Sequence, residues 1–182
     1  MLKRIFAWMT LIGLTSCQVP NITPFSVRDF RDEEPVSLSV ADIQLIDQTT
    51  RYPDLPHLET RIPIVPAKAL EQALQNRFQA TGNRSSRATF IIEEASLIQG
   101  SKPSEHWYIY DNTEYRLDYR VRVLYSWDNV TKEEQTITGW ESQSLPRRSS
   151  LSEKEGAWQK MINAMITKVS DKIRNDIPPA LH

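Results

Sequence analysis

Apolar residues fall along this chain in blocks whose spacing switches between two and about 3.6, and each block predicts one element. Val36, Leu38 and Val40 alternate with serines, then Ile43 and Leu45 continue on the opposite phase. That flip at Ala41-Asp42 predicts a bulge or bend in a first strand. Ala67, Leu70, Ala73, Leu74 and Phe78 form a stripe at helical spacing. They predict a helix from about Pro66 to Ala80, with Pro66 as its first residue and Gly82 as its C-terminal cap. Ala88 to Ile98, with the run Phe90-Ile91-Ile92 at its centre, predicts a second strand in the sheet interior. Tyr115, Leu117, Tyr119, Val121, Val123, Tyr125 and Trp127 then take every second position, with Arg116, Asp118, Arg120, Arg122, Leu124 and Ser126 between them. This predicts a third strand with one buried face and one wet face. Asp128-Asn129 turns the chain, and a fourth strand from about Glu134 to Ser144 returns antiparallel beside the third. Ser150 and Glu153 have capping-box spacing. They open a last helix whose stripe, Trp158, Met161, Ile162, Met165, Val169, Ile173 and Ile177, stops at Pro178-Pro179.

The order strand, helix, three strands, helix points to an α+β fold. Two amphipathic helices cover one face of an antiparallel-rich sheet of about four strands, a two-layer sandwich. One domain spans residues 36–178, with 179–182 as a tail. Ahead of it, residues 17–35 contain Pro20, Pro24 and Pro35, keep no steady apolar period, and include the charged run Arg28-Asp29-Phe30-Arg31-Asp32-Glu33-Glu34. They are expected to be an extended tether.

Residues 1–16 have a different character. Lys3 and Arg4 precede an uncharged apolar run from Ile5 to Leu14, which is the length of a signal h-region and too short to span a bilayer. Leu14-Thr15-Ser16-Cys17 follows. This quartet resembles the lipobox of bacterial lipoprotein precursors. The resemblance implies signal-peptidase recognition through Leu14, Thr15 and Ser16, and a diacylglyceryl group on the Cys17 thiol. Cleavage before Cys17 and further acylation would leave two or three acyl chains, a lasting anchor where one chain is marginal. Cys17 is the only cysteine, so no disulfide forms within the chain. Gln18, where the class uses Asp to retain proteins at the inner membrane, implies the outer membrane with the body facing the periplasm.

Removing the leader takes Lys3 and Arg4 with it, so the formal charge moves from −1 to −3. Neither sign dominates, and no nucleic-acid footprint results. The remaining glycines, Gly82, Gly100, Gly139 and Gly156, are far apart. No phosphate loop or dinucleotide fingerprint can be built from them, and a nucleotide ligand is not expected.

The search for catalytic chemistry turns up little. His57, His106 and His182 lack metal-ligand spacing, and no Gly-x-Ser-x-Gly elbow is present. No cofactor is expected beyond the acyl lipid on Cys17. Glu93-Glu94 and Glu133-Glu134 are neighbours in predicted strands, so each pair should point to opposite faces. Two segments suit binding. Arg116, Arg120 and Arg122 around Asp118, with Arg147-Arg148 further on, either meet an anionic partner or pair across strands on a solvated face. Trp107, Tyr108 and Tyr110, in His106-Trp107-Tyr108-Ile109-Tyr110, either form a contact patch or pack into the sheet.

The element order and the lipidated start resemble the LPS-assembly lipoprotein and the auxiliary lipoproteins of envelope ABC transport systems. The segments Tyr52-Pro53-Asp54-Leu55-Pro56-His57-Leu58-Glu59, Tyr115 to Tyr125, and Leu151-Ser152-Glu153-Lys154-Glu155-Gly156-Ala157-Trp158 are similar to an uncharacterised family of small proteobacterial lipoproteins. These resemblances imply a membrane-anchored, non-enzymatic accessory or docking subunit of an envelope transport or assembly complex. A solitary periplasmic module binding a glycolipid or small molecule is the second reading, and an envelope hydrolase the third.

Overall fold

The computed structural model describes residues 25–49, 58, 62–82, 85–102, 112–127 and 130–178. The signal and lipobox residues, Gln18, His57 and the aromatic segment with Trp107, Tyr108 and Tyr110 lie outside them. Eight elements follow in order: β1 (Val36–Leu38), β2 (Asp42–Asp47), α1 (Pro66–Arg77), β3 (Phe78–Ala80), β4 (Ser86–Lys102), β5 (Asn112–Trp127), β6 (Val130–Pro146) and α2 (Leu151–Asn175). The main sheet has the order β2-β4-β5-β6. β2 runs parallel to β4, and the β4-β5 and β5-β6 pairs are antiparallel. Both helices contribute to one continuous core with the sheet, so the fold is a two-layer α+β sandwich.

The phase flip at Ala41-Asp42 is where the chain changes sheets. β1 pairs with β3 in a small parallel ribbon, while β2 joins β4. This splits the expected first strand in two. The first helix also ends earlier than its stripe suggests. α1 stops at Arg77, and Phe78 is already extended as the first residue of β3. Phe78 remains buried, with its ring edge-on to Phe90 at 5.4 Å.

β5 carries the alternation into space as read. Tyr115, Leu117, Tyr119, Val121, Val123 and Tyr125 are buried, and every intervening side chain is at least partly exposed. β4 differs in one respect. Its core side chains are Ala88, Phe90 and Ile92, then Ala95 and Leu97, because a bulge lies between Ile92 and Glu94. The extra residue turns Glu93 and Glu94 to the same side, away from the core, and not to opposite faces as strict alternation requires.

α2 has the capping box its sequence encodes. The Ser150 hydroxyl accepts from the Glu153 backbone N–H at 3.3 Å, and the Ser150 backbone N–H donates to the Glu153 carboxylate at 2.7 Å. Those backbone and side-chain bonds from Ser150 hold the Glu153 carboxyl below its ordinary range. A depressed carboxyl contributes stability above its unfolded value of 4.5 and loses it as pH falls through the folded value. Ser150→Ala is therefore expected to cost about 1 kcal/mol at neutral pH, with the difference from wild type shrinking on acidification. Denaturant melts at several pH values, with amide exchange at Glu153, check both statements. A Ser150→Ala cost that stays constant down to strongly acidic pH contradicts the reading.

The expected tether is the largest departure. Residues 25–34 lie against both helices as a strap, so the packed body extends ahead of Val36. Phe30 is buried, and Phe25 and Val27 pack on the core. The Arg28 backbone N–H donates to Asn163 Oδ1 of α2 at 2.7 Å, and Asn76 Nδ2 of α1 donates to the Asp29 carbonyl at 2.9 Å. The charges that suggested solvation hold the strap in place. Glu33 bridges Arg28 at 2.5 Å and the buried Arg77 at 3.3 Å, while both guanidinium groups lie over the Phe30 ring, at 4.5 and 5.0 Å.

Candidate functional site

With both helices on one side, the opposite sheet face carries the polar side chains of β4, β5 and β6. Arg116, Asp118, Arg120 and Arg122 stand along β5 on this face, as their alternation with the buried aromatics requires. β4 adds Glu93 and Glu94 on one flank. β6 adds Glu134, Thr136, Thr138, Trp140 and Ser142 on the other, opposite Leu124, Arg122, Arg120, Asp118 and Arg116. Ile91, between Ile46 and Arg122 in the neighbouring strands, is the buried apolar residue of this side.

The geometry gives the arginines' partners within the chain. Arg116 Nε donates to both Asp118 oxygens, at 2.9 and 3.0 Å. That bond and the Asp118 charge, with Glu114 and Glu94 nearby, push the Arg116 guanidinium above its ordinary value. Arg122 lies 2.9 Å from Glu93 and 3.7 Å from Glu134. Arg87 meets Asp42 at 3.2 Å across β4 and β2. Pairing within β5 for Arg116 and across strands for Arg122 and Arg87 thus accounts for most of the basic residues, and exposed pairs of this kind contribute little to stability. Among the described residues Arg120 has no ion-pair partner, and it faces Thr138 on β6 and Glu94 on β4. The face as a whole is a compensated charge lattice and not a basic patch.

Trp140 is the residue that the sequence reading missed. It is 57% exposed, and the Arg116 guanidinium stacks over its ring at 5.2 Å. Its place depends on a second bulge. Trp127 pairs with Val130 and Ser126 with Thr131, but Tyr125 pairs with Glu133, so Lys132 is an extra residue. Without that residue the register slips by one and Trp140 falls on the core side. The only sequence signal for it was an indole in a strand next to a charge-rich strand.

On the core side, Glu141 of β6 accepts from Lys168 of α2 at 2.6 Å, and this bond raises the Lys168 pKa. Tyr119 lies across Gly139, where an added Cβ would collide with its hydroxyl oxygen and the adjoining ring edge. Burial, followed by the charges of Glu133 and Asp176, pushes the Tyr125 hydroxyl up to about 12. These groups join α2 to the sheet. No cluster of three or more metal-ligating side chains occurs among the described residues, and no helix there is long and apolar enough to cross a membrane.

No family model matches the chain, and no curated protein matches it. Solved structures do resemble it. A minor lipoprotein from Acinetobacter baumannii is 15% identical, with 79% of this chain and 96% of that one covered and a TM-score of 0.42. Rare lipoprotein B from Shewanella oneidensis is 13% identical, covering 75% and 92% with a TM-score of 0.41. An uncharacterized lipoprotein B from Nitrosomonas europaea is 16% identical, covering 76% and 84% with a TM-score of 0.39. All three are lipoproteins of bacteria, and at these identities and scores the likeness establishes neither a family nor a function for this chain.

Proposed function

We propose that this chain is a lipid-anchored lipoprotein of the bacterial cell envelope, serving as a non-enzymatic accessory or docking subunit of a transport or assembly system. The observation that carries the reading is the basic, then apolar, then Leu14-Thr15-Ser16-Cys17 order at the N-terminus. Cys17 is the sole cysteine, which suits a thiol with one task. Gln18 at the next position favours the outer membrane, with the body in the periplasm.

The strap adds a distance. Seven residues lie between Cys17 and Phe25, and the eight Cα-to-Cα steps across them reach at most about 29 Å. A body held this close to the headgroups meets partners in or against the membrane. On the polar face Arg116 and Arg122 are engaged by carboxylates, which is consistent with the non-enzymatic half of the reading.

The test compares wild type with Cys17→Ser in a bacterial host. The expected outcome is palmitate label in wild type alone, in the outer-membrane fraction, with one recurring transport or barrel protein after crosslinking. Absence of label removes the anchor. Label without a recurring partner removes the docking role and favours the solitary glycolipid or small-molecule binder. A thermal shift with one lipid or glycan of an envelope panel would then identify that binder's ligand.

A further inference from the structure

We propose that the open sheet face around Trp140 binds an uncharged saccharide, with the indole as its stacking platform. Among the described residues the other large apolar side chains that are exposed, Val130 and Leu151, lie at the first positions of β6 and α2. Trp140 alone stands in the middle of a strand on the open face. Its ring is held in place from one side. Asp118 grips the Arg116 guanidinium with contacts of 2.8, 2.9 and 3.0 Å, and that guanidinium stacks over the indole. The residue is still 57% exposed, so the other side of the ring is open to a ligand. A platform that is already fixed loses little freedom on binding.

The surroundings of the indole select the occupant. Three rows cross the open face here: Glu94-Arg120-Thr138, Ser96-Asp118-Trp140 and Ile98-Arg116-Ser142. Every open-face side chain next to Trp140 on β5 and β6 is therefore polar. A protein partner would need a contiguous apolar centre, and the indole has none around it. Charge narrows the choice further. Arg120 and Glu94 stand opposite one another, and neither has an ion-pair partner among the described residues. An anion drawn to Arg120 also meets Glu94 and Asp118, and a cation drawn to Glu94 meets Arg120. A neutral ligand rich in hydroxyls complements both charges at once, accepting from the guanidinium and donating to the carboxylate. A sugar ring has such a rim of hydroxyls, and its faces carry C–H groups that suit the apolar face of an indole. Trp140 and Arg120 are diagonal neighbours, about 7–8 Å apart. One sugar can thus lie on the indole while its rim reaches Arg120 and the Thr138 hydroxyl. The inference rests on the sheet alone and needs neither the lipid anchor nor the docking role.

The test titrates the full-length protein, in a detergent without a sugar headgroup, with chitotetraose, cellotetraose and maltotetraose, and with tetragalacturonate as the charged comparison. Magnetic resonance reads the indole N–H of Trp140 and the saturation passed from protein to the C–H protons of each sugar. At least one uncharged tetrasaccharide is expected to shift the Trp140 signal saturably, in the millimolar range that one aromatic platform supports. Saturation transfer should vanish in Trp140→Ala and persist, weakened, in Trp140→Phe, which keeps a ring to stack on. Arg120→Gln should weaken binding roughly tenfold through the loss of charged donors, and Glu94→Gln should weaken it less. Melting temperatures of the four variants should stay close to wild type, because none of these side chains is buried. A Trp140 signal that no uncharged sugar moves would overturn the proposal. So would saturation transfer that survives Trp140→Ala. Binding of tetragalacturonate alone would overturn the uncharged class and make Arg120 an anion site.

Discussion

Phe30→Ala is expected to destabilise the protein by about 3–4 kcal/mol, and Phe30→Gly by about 1 kcal/mol less. The first figure is that of a buried aromatic replaced by a methyl group. Phe30 is 6% exposed, and its removal also deprives Arg28 and Arg77 of the ring they stack on. Arg77, itself buried, would then keep only Glu33 and the Glu34 carbonyl as partners. The second figure comes from the backbone. Phe30 has φ 58°, the left-handed region, where a side chain other than hydrogen costs about 1–2 kcal/mol. Glycine loses the same ring but gains that much back, so the usual ranking of alanine over glycine is reversed. Urea melts of the three proteins decide the matter. An effect within about 0.5 kcal/mol, as expected for exposed positions, would mean that the strap does not pack in solution.

The strap shows where sequence reading runs out. Phe25, Val27 and Phe30 follow no helical or strand period, because the strap is neither; it is held by side-chain contacts to elements that lie 43 to 139 residues away. Its charges, which in sequence mark a solvated segment, are here the partners of Arg77 and Thr167. What the sequence makes legible is what a period encodes. The alternation from Tyr115 to Trp127 appears in the structure as written. The α2 stripe does too, with Trp158, Met161, Ile162, Met165, Val169 and Ile173 all buried, and the Ser150 cap is closed by both of its bonds. The arginine face was legible as a location, since alternation alone puts Arg116, Asp118, Arg120 and Arg122 on one side. Its composition was not. Which carboxylates and which tryptophan complete it depends on bulges at Glu93 and Lys132, and one added residue per strand leaves no signature in the hydrophobic pattern until the partner's register is known. Crossing of the chain between two sheets at Ala41-Asp42 was visible as a phase flip, but a bend within one strand produces the same flip.

Gly82 exposes the same limit in a second way and carries the other large effect. Its position after a helical stripe suggests a C-terminal cap, yet α1 ends five residues earlier at Arg77. The glycine is needed because two backbones touch. A Cβ on Gly82 would lie 2.7 Å from the Ser39 carbonyl carbon and 2.8 Å from both the Ser39 oxygen and the Val40 nitrogen. Those atoms belong to the link between β1 and β2, where Val40 is fully buried and the Gly82 N–H donates to the Val40 carbonyl at 2.9 Å. A flexible side chain could swing away, but main chain pinned by hydrogen bonds on both sides cannot. Gly82→Ala is therefore expected to cost about 3 kcal/mol, the upper part of the range for overpacking a tight site. The damage should concentrate at the β1-β3 ribbon, seen as faster amide exchange at Val40 and Gly82 than in the β4-β5-β6 sheet. A capping role predicts a different result. A glycine cap in the left-handed conformation would lose about 1 kcal/mol on becoming alanine, with fraying confined to the last turn of α1. Exchange rates at Asn76 and Arg77 that match wild type, together with loss of protection at Val40, would show that it is the close approach to Ser39 and Val40 that requires glycine here.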